Sequence, residues 1–86
     1  MDEKTKKMRS ISKSIRPRII IGKNGLTEHV INDIIRELKN HELVKIKVLN
    51  NYIADKEKKS VVGEIVKRTN SRLIDFVGFT LVLSRK

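Results

Sequence analysis

Apolar residues return along this chain with two periods. Val30, Ile31, Ile34, Ile35 and Leu38 follow the i, i+4, i+8 and i+1, i+5 spacing of one wide helical stripe, on a helix expected to stop near Asn40. Thr27 is its candidate N-cap, and Leu26 one half of a hydrophobic staple. Val44, Ile46 and Val48 alternate with Lys45 and Lys47, which predicts a strand buried on one face and basic on the open one. After a turn over residues 49–52, a helix is predicted from about Asp55 to Asn70, with Val61, Val62, Ile65 and Val66 at helical spacing. Gly63 interrupts it at a cost of about 1 kcal/mol relative to Ala and is read as a point of close packing. Two further strands follow around a turn at Gly78. In the first, Ile74 and Phe76 alternate with Leu73, Asp75 and Val77; in the second, Phe79, Leu81 and Leu83 alternate with Thr80, Val82 and Ser84.

The front of the chain adds a helix and a short strand. Met8, Ile11 and Ile15 share one face of a helix predicted over residues 3–15, with Lys6, Arg9, Lys13 and Arg16 on roughly the opposite side. Pro17 blocks its continuation. The β-branched run from Arg18 through Ile19, Ile20 and Ile21, ended by Gly22, reads as a short buried strand. The order is α-β-α-β-α-β-β. It implies a two-layer α/β fold with a four-stranded mixed sheet, in which strand–helix–strand units pair in parallel and the final hairpin antiparallel. No repeat or low-complexity run divides the chain, so residues 1–86 are read as one domain.

Charge then points to a partner. Twenty Lys and Arg against ten Asp and Glu give a formal +10, and half of that excess lies in residues 1–18. Such a balance favours a polyanion. Without cysteine there is no disulfide framework and no thiolate metal site. No apolar run approaches the roughly 20 residues of a membrane span, and the polar first 18 residues hold no signal-peptide core. The expectation is a cytoplasmic, monomeric protein that neither enters a membrane nor uses a metal or cofactor.

The motif with chemical content is Gly22-Lys23-Asn24-Gly25, between a strand and a helix. Glycine lets a ligand backbone approach closely, and the following helix start offers unpaired N–H groups to a phosphate. Lys23 adds a full charge and Asn24 an amide donor. Together they could clamp a nucleic-acid backbone without reading its sequence. Lys6, Arg9, Lys13, Arg16 and Arg18 are candidate supporting contacts, with Lys45, Lys47, Arg68 and Arg72 as a second tier. Enzymatic motifs are missing. Gly25 is followed by Leu26 and Thr27, so there is no Walker loop, and there is no Gly-x-Gly-x-x-Gly or Gly-x-Ser-x-Gly. His29 and His41 fall at opposite ends of one predicted helix, too far apart to share a metal. Tyr52, Phe76 and Phe79 are the only aromatics, which argues for backbone and shape recognition over base stacking. A DNA-binding or architectural protein, or a module whose basic helix docks on an acidic partner, uses the same charge.

The segment Ile21-Gly22-Lys23-Asn24-Gly25-Leu26-Thr27 resembles the signature of the CRM domain (chloroplast RNA splicing and ribosome maturation). The resemblance continues through Val30, Ile34, Leu38 and His41-Glu42-Leu43-Val44-Lys45-Ile46-Lys47 to Val48. It resumes at Ile65-Val66-Lys67-Arg68-Thr69 and at Val77-Gly78-Phe79-Thr80-Leu81-Val82-Leu83. The length resembles the stand-alone, YhbY-like members. The resemblance implies a fold like the C-terminal domain of bacterial translation initiation factor three. It also implies RNA binding without catalysis, through a Gly-x-x-Gly loop and a basic first helix, on precursors of the large ribosomal subunit. Phe79 stands where the family often has a basic residue, and Ser84 where it often has Tyr.

Overall fold

The structure is a computed structural model and describes residues 3–49 and 57–86. Three helices and four strands alternate in it: α1 Glu3–Ser12, β1 Ile19–Ile21, α2 Glu28–Asn40, β2 Leu43–Val48, α3 Lys58–Thr69, β3 Ser71–Val77 and β4 Thr80–Arg85. The sheet order is β1-β2-β4-β3, with β1 and β2 parallel and the other two pairs antiparallel. The fold is therefore α/β with a four-stranded mixed sheet. The turn expected over residues 49–52 and the α3 start expected near Asp55 fall largely outside the described residues.

The main core lies between the sheet and α2 and α3. Ile21, Val44, Ile46, Leu81 and Leu83 face the helices with no exposed surface, against Ile34 of α2 and Ile65 of α3. The period-2 pattern of β2 accounts for its half of this, since Val44, Ile46 and Val48 all point the same way. Thr27 caps α2 as expected, its hydroxyl accepting from the Val30 N–H at 3.1 Å. The end at Asn40 is set where the His41 N–H returns to the Glu37 carbonyl at 2.8 Å. Asn70 closes α3 in the left-handed region, at φ 50°, with its N–H turned back to the last turn. Gly63 does not serve close packing: it is exposed, and a Cβ there would meet nothing within 4 Å.

The sheet with α2 and α3 makes two layers, and α1 adds a short cover on the opposite face. There Met8 packs with Ile74 and Val82, flanked by Leu43. The expected Met8, Ile11, Ile15 stripe is not the buried one. Met8 and Ser12, at i and i+4, lie down on the sheet, while Ile11 is 54% exposed and Ile15 lies beyond the helix. Serine serves there because its hydroxyl is satisfied locally, donating to the Arg9 carbonyl at 2.7 Å. The helix ends three residues earlier than the spacing suggests. The Ser14 hydroxyl donates to the Ile11 carbonyl, and Lys45 Nζ reaches across to the Ser12 carbonyl at 3.2 Å. A cation at a helix C-terminus satisfies both the orphan carbonyl and the dipole.

Strand β3 also departs from simple alternation. Its register against β4 slips between Leu73, which faces Leu83, and Asp75, which faces Val82. The extra residue, Ile74, drops into the Met8 cluster, while Phe76 packs on the main core. A bulge lets two apolar residues that a regular strand would place on one face serve opposite faces.

Candidate nucleic-acid interface

Strand β1 delivers the chain to residues 22–25 at one end of the sheet. The loop is closed by the Gly25 N–H donating to the Gly22 carbonyl at 3.0 Å, and Leu49 N–H donates to the Ile21 carbonyl at 2.8 Å. The two glycines differ in what they are for. Gly25 is buried and holds φ 71°, a conformation costly for any other residue. Gly22 carries no such demand, and a Cβ on it would sit 3.7 Å from Leu49 Cδ1, an ordinary contact. An alanine would therefore fit at Gly22 without strain, beside the Leu49 side chain. Lys23 and Asn24 stand exposed at the tip.

The helix start beside the loop is partly occupied. Thr27 takes the Val30 N–H, and Glu28 stands in the first turn. Arg68 answers Glu28, with Nη2 at 3.0 Å from its carboxylate. The same guanidinium donates through Nη1 to the Leu26 carbonyl at 3.2 Å and lies 3.3 Å from Glu64. Arg68 thus ties the segment leaving the loop to α3 and neutralises the acid in the first turn of α2.

The β3–β4 turn reaches the same end of the sheet. Phe79 accepts the Val48 N–H through its carbonyl at 2.7 Å, its ring packs on the core, and Lys58 Nζ sits 4.2 Å from the ring centroid. This explains an aromatic residue after Gly78: Phe79 supports the corner and seats a cation on its ring. Ser84 is buried on the α1 face and contributes to packing there.

The remaining sequence candidates differ in exposure and pairing. Lys13, Arg16 and Arg18 are exposed on the stretch joining α1 to β1, and Lys47 is exposed on β2. None of the four has an ion-pair partner among the described residues. Lys6 lies 4.0 Å from Glu3, Arg9 Nε 3.5 Å from Asp75, and Arg72 reaches the Thr5 hydroxyl at 3.5 Å. The first helix and its linker thus do not form one unbroken basic stripe, because the helix stops before Lys13. Lys45, read as part of an open face, is half-buried under the end of α1. Sequence reasoning passed over Lys58, whose role depends on a ring brought to it by the hairpin.

No group of three or more His, Asp or Glu able to hold a metal occurs among the described residues, and no helix there is long and apolar enough to cross a membrane. The profile of the CRS1 / YhbY (CRM) domain matches residues 1–85. The chain belongs to this family. A Haemophilus influenzae relative named as an RNA-binding protein is 35% identical over 79 residues, covering 91% of this chain and 77% of its own. A Bacillus subtilis protein named "Probable RNA-binding protein" is 32% identical over 79 residues, covering 92% and 80%. The fold matches the solution structure of a Staphylococcus aureus hypothetical protein, presented there as a candidate RNA binder. The TM-score is 0.78 and the identity 34%, over 95% of this chain and 83% of that one. In this CRM domain the Gly-x-x-Gly loop, the Phe79 corner and the start of α2 share one end of the sheet.

Proposed function

We propose that this CRM domain binds RNA by its backbone at residues 22–25. The observation that carries the reading is the pairing of two unlike glycines around an exposed Lys23 and Asn24. Gly25 fixes the turn by its positive φ, and Gly22 adds no side chain to the backbone leading into Lys23. Lys58 and Lys47 lie on the elements meeting at the same end of the sheet, whereas Arg16 and Arg18 flank the opposite end of β1, beside Glu37. The names of the relatives support RNA as the partner. Chemistry on the bound RNA is not part of the reading, since the site offers donors and cations but no nucleophile–base pair. Acting on precursors of the large ribosomal subunit is the cellular role that the family resemblance favours.

The direct test compares one hairpin made as RNA and as DNA, against wild type and Lys23→Asp/Asn24→Asp. RNA should bind more tightly than DNA, since only RNA offers the A-form shape and 2′-OH. The variant should lose roughly a hundredfold in affinity from one charge reversal and one added acid. Equal affinity for DNA would favour an architectural DNA-binding role, and an unchanged variant would move the clamp away from the loop. For the cellular role, sedimentation of cell extract should place the wild type on large-subunit precursors and the folded variant at the top of the gradient.

A further inference from the structure

The first helix covers only half of its face of the sheet. Met8 rests on Ile74 and Val82, the helix ends at Ser12, and beyond it the strands are open. The register sets Ile20 beside Lys47, Lys47 beside Thr80, and Thr80 beside Val77. Paired residues in a ladder project to the same side. These four therefore form one row across all four strands, about 14 Å from edge to edge at the usual strand spacing. Ile20 is 59% exposed and Val77 69%, and neither belongs to a hydrophobic cluster. A groove of about 400 Å³ continues the row towards the end of α1, with Lys13 and Lys45 on its wall.

Single exposed aliphatic residues are ordinary. This row is distinguished by its neighbours. Ile20 stands two residues before Gly22, and Thr80 follows Phe79 at the corner, so the row is continuous with the loop end of the sheet. Its cations are exposed or line the groove. The acid at its border, Asp75, is committed elsewhere: it accepts the Phe76 N–H at 3.0 Å and lies 3.5 Å from Arg9.

We propose that this row is a second RNA-contact surface, which takes a short unpaired stretch running on from the backbone held at residues 22–25. It rests on the RNA-binding reading above. Ile20 and Val77 pack against base faces, Lys47 and Lys13 meet phosphates, and the Thr80 hydroxyl is placed for a base edge or a 2′-OH. Aliphatic contacts carry no hydrogen-bond code, so the surface accepts any base. An acidic peptide would satisfy the ammonium groups but set carboxylates against Ile20 and Val77.

Fluorescence anisotropy with two RNAs tests this: a blunt hairpin, and the same hairpin with a single-stranded tail of about four uridines. Wild type should bind the tailed RNA about tenfold more tightly, the scale of two aliphatic side chains losing their water-exposed area less the cost of ordering the strand. Ile20→Thr/Val77→Thr, which keeps β-branching, should lose that increment and keep blunt-hairpin affinity. Val77→Ser alone should lose part of it, and serves if the double variant melts early. Lys23→Asp/Asn24→Asp should weaken both RNAs. A wild type indifferent to the tail, or an increment that survives in the folded threonine variant, overturns the row while leaving the loop clamp standing. A wild type that binds neither RNA overturns both readings. Comparable binding of a glutamate-rich peptide, lost in the threonine variant, would assign the row to a protein partner and overturn it as an RNA surface.

Discussion

On the α2–α3 face of the sheet, Ile21, Ile46 and Leu81 are wholly buried; on the other face, Ile20, Lys47 and Thr80 occupy the neighbouring positions on the same strands and remain at least partly exposed. The two faces share one backbone and one register, yet one is filled and the other half-covered. A single ten-residue helix, anchored by Met8 and Ser12, covers what it can reach. Stability is thus concentrated on one side, which leaves the other side and the loop end free to carry charge and exposed apolar groups that folding does not require.

The contrast should be largest in Ile46→Ala. Removing a fully buried side chain among Val44, Leu81 and Ile34 should cost about 3–4 kcal/mol, read by urea unfolding. Val77→Thr on the open face should change stability by less than about 0.5 kcal/mol. If the two came out alike, the faces would not differ as described. Met8→Ala should fall between, near 2 kcal/mol, because the cluster it leaves is small and close to solvent.

The glycines sharpen the comparison at smaller scale. Gly25→Ala should cost about 1–2 kcal/mol for its positive φ. Gly22→Ala should leave the melting temperature nearly unchanged, since the added methyl makes an ordinary contact with Leu49, while weakening RNA binding on the proposed backbone clamp. Equal destabilisation by both would reduce Gly22 to a turn residue. Gly63→Ala should raise stability by about 0.5–1 kcal/mol, since the helix gains propensity and nothing obstructs the methyl.

α2, β2 and α3 were readable from periodicity because each buries a stripe matched to its own repeat. Thr27 and Asn70 marked helix ends by local chemistry that the fold retains. What periodicity could not supply was which apolar edge of α1 would land on the sheet, since Met8 pairs equally well in sequence with Ile11 and with Ser12. The helix end meets Lys45, a residue 33 positions away in sequence from Ser12. The bulge at Ile74 was hidden for a related reason: alternation assumes an unbroken strand, and the slip is visible only against β4. At the candidate site, the Gly-Lys-Asn-Gly loop was plain in the sequence. The inward role of Arg68 and the row from Ile20 to Val77 were not, because each joins residues that only strand order and helix packing bring together.

Whether a cationic end of the sheet grips an RNA backbone through residues 22–25 is decided by the salt dependence of hairpin-RNA binding. With about five phosphates neutralised, log K should fall with log salt at a slope of about −4 to −5. Lys23→Gln should make that slope shallower by about 1. A slope near zero, or one that Lys23→Gln leaves unchanged, would contradict it.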